Sequence, residues 1–136
     1  MNRVIQMGHY SLYFFSLGFL SFGLLFLVAP ASLMTLVEIP LSSPIAVMEL
    51  RAVYGGFFFG AGFFLMVCAR RESWLRPGLA AQASMMGGLV AGRVLSLIAQ
   101  GAANPFQWLL FLSEIIGLII SVAALRKFAV PRTQDS

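Results

Sequence analysis

Four apolar runs, separated by short polar or proline-marked stretches, make up nearly the whole chain. They extend from about Gly8 to Ala29, Ile45 to Ala69, Gly78 to Ala99, and Gln107 to Leu125. Each is close to the ~20 residues an α-helix needs to cross a ~30 Å hydrocarbon core. The pattern predicts an all-α fold: a polytopic membrane protein whose single domain, residues 1–136, is a bundle of four transmembrane helices. Ala29-Pro30-Ala31 has the small-x-small form of a signal-peptide cleavage site. The first run is longer than a signal h-region and its basic leader is only Arg3, so a retained first span is expected.

The connections carry their own signals. Residues 31–38 can form two helical turns lying in the membrane interface, after which Pro40 and Pro44 stop a regular helix before the second span. This segment reads either as a lid over the mouth of the bundle or as a plain connection, the usual role of a short loop. Residues 70–77 form a basic loop with an interfacial Trp74. Gly101 to Pro105 make a turn, Trp108 anchors the start of the fourth span, and the polar tail 131–136 is expected to fray.

Composition agrees with the pattern. The chain is 60% hydrophobic and 10% charged, where soluble domains carry about 25% charged residues. The net charge of +4 does not point to nucleic acid. Seven of the nine Lys and Arg (Arg3, Arg70, Arg71, Arg76, Arg126, Lys127, Arg132) flank apolar runs, and no basic groove with interleaved aromatics is present. With four spans these cations fall on one side, and the opposite loops carry only Glu38. The positive-inside rule then places both termini in the cytoplasm, in a bacterial inner membrane. Cys68 is the only cysteine and His9 the only histidine, too few for a zinc site or a bis-His haem, so no metal or cofactor is expected. No nucleophile–base pair or phosphate-cradling glycine loop appears, and a non-enzymatic protein is expected.

The exceptions to the apolar pattern are the candidate chemistry. Glu49, Arg51, Arg93 and Glu114 lie in or at the head of apolar runs. Four unpaired charges in hydrocarbon would together cost on the order of 10 kcal/mol or more. The helical rise places all four in the outer half of the membrane, so a neutral cluster of two Arg and two Glu is expected, with Tyr54 and Gln100 as hydrogen-bond partners. Such a cluster can fix helix register, or it can line an outward pocket for a lipid headgroup or a proton path through Glu114. His9 with Tyr10 reads as an interfacial anchor, and the Phe57-Phe58-Phe59 and Phe63-Phe64 runs as lipid-facing surface.

Small residues recur at every fourth position: Ala80, Ser84, Gly88, Gly92 and Ser96 in the third run, Ala52, Gly56 and Gly60 in the second, and Ser113, Gly117 and Ser121 in the fourth. Ser11, Gly18 and Ser21 form a looser stripe in the first. In lipid, close packing of small residues brings helices together, so Gly56, Gly60, Gly88, Gly92 and Gly117 are expected at helix contacts. The alternative use of such a stripe is association into a homo-oligomer or a larger membrane complex.

Met48-Glu49-Leu50-Arg51-Ala52-Val53-Tyr54-Gly55-Gly56, with Gly92-Arg93-Val94-Leu95-Ser96-Leu97 and the later Glu114, resembles the small bacterial four-helix integral membrane proteins known only as a domain of unknown function. The likeness covers about Leu12 to Leu125 and includes the proline-bounded linker. More distantly, the chain looks like the DoxX-type four-helix membrane proteins. It departs from the family pattern at Met48, where a polar residue is usual, and at Gln100, where an acid often precedes the glycine. The resemblance implies the fold and no activity. The expected function is that of a non-enzymatic accessory or scaffold membrane protein whose Glu/Arg cluster is structural or binds a lipid or small ligand. The alternatives are an oligomeric small-molecule or proton-coupled transporter and, by the distant likeness, an accessory subunit of a membrane oxidoreductase system.

Overall fold

Prolines, glycines and two side-chain caps set where the helices begin and end. The computed structural model of the protein describes residues 3–36, 38, 40, 43–101 and 103–129. The tail 131–136, Arg132 and Val37 of the interfacial segment lie outside the described residues, which contain helices and short connections and no strand. Helix α1 covers Arg3–Val28 and α2 covers Pro30–Leu36. Helix α3 is Pro44–Arg70, opened from Arg51 to Phe57 into π-helical turns. A short 3-10 turn, Glu72–Trp74, leads into α4, Leu75–Gln100, and α5 is Pro105–Ala129.

Pro44 begins α3, as its fixed φ and missing N–H allow, with Ser43 as the N-cap accepting from Ala46 N at 3.2 Å. Asn104 caps α5 reciprocally with Gln107. The Gln107 N–H donates to Asn104 Oδ1 at 2.9 Å, and the Asn104 N–H donates to Gln107 Oε1 at 3.2 Å. Gly101 ends α4 in the left-handed conformation that a residue without a Cβ adopts cheaply. Helix α4 starts before Pro77 because a proline in the first turn removes no helical hydrogen bond. The four long helices are each long and apolar enough to cross a membrane, and the protein is a four-helix membrane bundle.

Helix α1 is central and contacts α3, α4 and α5. Its inward positions Gly8, Leu12, Phe15, Phe19, Phe22 and Phe26 follow alternating steps of four and three, which keeps one seam toward its neighbours. The residues on that seam make the two ends of the bundle differ. At the end bearing Arg70, Arg71, Arg76 and Arg126 (the basic end), Gly8, Gly62, Gly78, Ala69 and Ala124 let the backbones approach. A core of Leu12, Leu65, Cys68, Leu75 and Leu79 closes there. At the other end (the linker end), α1 and α3 stay close at Gly23 and Gly55, and the phenylalanines of α1 face a space between that pair and α4 and α5. The π segment of α3 packs on α1 and makes no substantial contact with α4. A space therefore opens among the four helices. Met34 of α2 points into its linker end and is 1% exposed. The helical turns of Pro30–Leu36 thus fold back over the bundle.

The small-residue stripes do not pack as their spacing predicts. A Cβ added at Gly60, Gly88 or Gly92 would meet nothing within 4 Å, and one at Gly56 would meet only the Arg51 carbonyl at 3.8 Å. Gly117 does pack, against the Phe15 ring. The closest backbone approaches instead use Gly23 and Gly55, between α1 and α3 near the linker end, and Gly62 farther along α3. In α3 the wider π turns shift the helical phase, so Gly55 rather than Gly56 faces α1. In α4 the stripe lies on the side away from α1. Ser84 and Ser96 there donate to the carbonyls of Ala80 and Gly92 on their own helix rather than to a neighbour.

Candidate functional site

The space at the linker end is a cavity of about 530 Å³ lined by all four long helices and α2. That volume lies within the roughly 300–1,000 Å³ typical of small-molecule sites. Its wall is mostly aromatic and aliphatic: Phe14, Phe15, Phe19, Phe22 and Phe26 from α1, Tyr54 and Phe58 from α3, Met86 and Leu89 from α4, and Leu109 and Leu110 from α5. The rings brace one another. Tyr54 stacks on Phe58 at 6.1 Å and lies 5.3 Å from Phe26, and Phe58 packs edge-on with Phe19 and at a tilt against Phe22. Phe57, Phe59, Phe63 and Phe64 face outward as expected, but Phe58 turns inward. Successive helical residues are about 100° apart, so three consecutive phenylalanines cannot share a face.

One ion pair stands in this wall. Arg93 of α4 donates from Nε to Glu114 Oε2 at 2.7 Å and from Nη2 to Glu114 Oε1 at 2.9 Å, a two-pronged pair. Helix geometry explains how the two meet. Side chains tilt toward the N-terminus of their helix, and α4 and α5 run in opposite directions, so Arg93 leans toward the basic end and Glu114 toward the linker end. Glu114 is 7% exposed and Arg93 26%, so the carboxylate is enclosed while the guanidinium reaches the edge.

Glu49 and Arg51 do not join them, so the expected four-charge cluster reduces to this single pair. Both are exposed, and among the described residues the ion pair is Arg93–Glu114. The reason is depth. Arg51 lies 19 positions before Arg70, about 28 Å along a helix, which puts it at the far edge of the hydrocarbon when Arg70 is at the near edge. A charged side chain there reaches water or headgroups and needs no partner in the bundle. Tyr54 lines the cavity with Arg93 and Glu114.

Gln100 belongs to a second space, a groove of about 420 Å³ on the α4–α5 face, lined by Gly88, Gly92, Arg93, Ser96, Gln100, Gln107, Trp108 and Phe111 among others. Arg93, Leu89 and Gln107 line both spaces. Three polar residues that the reading of charged positions passed over are thus part of the architecture. Gln107 borders both spaces. Asn104 caps α5 and also donates from Nδ2 to Glu38 Oε1 at 3.3 Å, tying the linker to the α4–α5 turn. Gln82, fully buried, donates to Ser11 Oγ at 2.6 Å between α4 and α1. Uncharged amides in an apolar run give a weaker signal than charges, because their cost in lipid is smaller. The Asx-x-x-Gln spacing of Asn104 and Gln107 is the one cue that could have flagged a cap.

Comparison with known proteins bears on the whole chain rather than on the cavity. A family model described as a domain of unknown function (DUF4345) matches residues 9–125. No curated protein and no solved structure matches.

Proposed function

Since the chain belongs to the DUF4345 family, whose description assigns no activity, we propose its role from the cavity: it is a non-enzymatic accessory protein that holds a lipid or lipid-soluble small molecule within its membrane domain. The observation that carries this reading is the aromatic cavity among all four spans with the Arg93–Glu114 pair in its wall. Apolar walls with a few placed polar groups are the usual composition of a small-molecule site. The ion pair serves both the fold and the ligand: it ties α4 to α5 and offers the ligand an oriented polar edge.

The test uses Gly18, which lines the cavity and whose added Cβ would meet nothing within 4 Å. Gly18→Phe should fill space without breaking packing. Native mass spectrometry of the wild type in mild detergent should show a bound adduct released on activation. The variant should lose it while melting within a few degrees of wild type. A wild type free of adduct, even after incubation with total membrane lipid, would sink the proposal.

The proposed orientation has both termini in the cytoplasm of a bacterial inner membrane, on the strength of Arg3, Arg70, Arg71, Arg76, Arg126 and Lys127 flanking the spans at one end. Cys68 is buried, so in Ser73→Cys the new, exposed thiol should be the reactive one. A membrane-impermeant maleimide should label it in inverted vesicles and leave it unlabelled in intact cells. Labelling in intact cells would reverse the orientation.

A further inference from the structure

The groove beside the cavity presents hydrogen-bond donors at the membrane edge of the same site, and this restricts what can bind there. Arg93 uses the Nε and one Nη2 hydrogen on Glu114, so three of the five guanidinium N–H groups are left over. The amide oxygen of Gln107 is held by the Asn104 N–H, so this side chain offers its N–H₂. Gln100 adds a second amide on the groove wall. The positive charge of Arg93, however, is already matched by Glu114 at 2.7 Å. An anionic head would meet a neutral pair, with a carboxylate close behind the guanidinium. An uncharged head rich in carbonyl, ether or hydroxyl oxygens would find donors and no opposing charge.

The position of the groove suits a lipid. Trp108 stands at the first turn of α5, where an interfacial ring anchors at headgroup level. The bare glycine faces at 88 and 92 leave room beside Arg93. Leu89, Arg93 and Gln107 line both spaces, so the groove and the aromatic cavity adjoin, and a lipid with its head in the groove has its chains beside the cavity.

We propose that the α4–α5 groove is the headgroup subsite of the cavity, and that its ligand is a membrane lipid with an uncharged, oxygen-bearing head, of the diacylglycerol or glycosyl-diacylglycerol class. This rests on the reading of the cavity as a ligand site. The two parts fail separately in the following experiment.

The full chain with Trp74→Phe, which leaves Trp108 as the only tryptophan, is placed in phosphatidylcholine nanodiscs. These carry a low mole fraction of brominated diacylglycerol, brominated glucosyl-diacylglycerol or brominated phosphatidylglycerol. Both neutral lipids should quench Trp108 well beyond their share of the bilayer, and phosphatidylglycerol should quench only in proportion to its share. Gly92→Leu fills the groove at a position with nothing within 4 Å, and Gln100→Leu removes a donor from an exposed site. Each should weaken the preferential quenching by about tenfold with an unchanged melting temperature. Gln100→Leu keeps the test valid should Gly92→Leu fold poorly. Phosphatidylglycerol quenching as well as the neutral lipids would overturn the assignment of an uncharged head. Neutral-lipid quenching that is lost in Gly18→Phe but untouched by Gly92→Leu and Gln100→Leu would keep the cavity and overturn the headgroup subsite. No preferential quenching by any of the three lipids would overturn the subsite. A wild-type adduct in native mass spectrometry would then show whether the cavity reading survives it.

Discussion

Arg93→Gln should lower stability by about 3–5 kcal/mol, the range for breaking a buried ion pair by removing one partner. Glu114→Gln should cost less, about 1–3 kcal/mol. The asymmetry follows from where the two groups sit. Glu114 is 7% exposed, so losing Arg93 leaves a buried carboxylate without its counter-charge. Arg93 is 26% exposed and borders the groove that holds Gln100 and Gln107. When Glu114 is lost, its long side chain can swing toward those amides and the interface. The double variant Arg93→Gln/Glu114→Gln should regain much of the single losses, because two amides can bond each other and neither is charged. The check is equilibrium unfolding or melting of the four proteins in one detergent. Additive losses would show that the pair is not an energetic unit. Equal single losses would contradict the difference in enclosure.

Gly23→Ala should be the most damaging single-methyl change in the protein, and Gly62→Ala nearly as damaging. A Cβ at Gly23 would collide with the Phe59 backbone nitrogen and lie 2.8 Å from both the Gly55 carbonyl oxygen and Phe59 Cα. At Gly62 it would lie 2.6 Å from Leu20 N and 2.9 Å from Ser16 O. These neighbours are backbone atoms of a helix, so they cannot rotate aside as a side chain would. The α1–α3 contact, the most extensive in the bundle, must open instead. Overpacking commonly costs 1–3 kcal/mol, and about 3 kcal/mol or more is expected here. Gly88→Ala is the matched control. It meets nothing within 4 Å and replaces a poor helix former with the best one, so it should be neutral or stabilising by up to about 1 kcal/mol. Melting temperatures of the three variants decide the matter. A Gly88→Ala loss as large as that of Gly23→Ala would mean that the α4 stripe is a packing face after all, against another copy or another protein.

How much of this was legible beforehand differs between fold and site. Four spans, their proline and glycine boundaries and the amphipathic turns after α1 all follow from local rules: run length against bilayer thickness, and which residues can start or stop a helix. The Arg93–Glu114 pair was foreseeable in kind, since two opposite charges in lipid seek each other. Its isolation from Glu49 and Arg51 was not foreseeable. That turned on a few residues of depth at the head of the second span, and a charge at the hydrocarbon edge is easily mistaken for one inside it.

The order of apolar and polar residues, by itself, determined that this chain is a membrane bundle of four helices and which residues would be expensive there. Tertiary structure alone decided which glycines touch, that Phe58 turns inward, and that an aromatic cavity opens beside the ion pair. The physical reason is phase and separation. Spacing four marks a stripe but not the direction it faces, and the π turns at Arg51–Phe57 rotate everything before them relative to the rest of α3. A cavity is a property of the distance between helices, which here leaves a space between the close α1–α3 pair and α4 and α5. No single run of sequence records that distance.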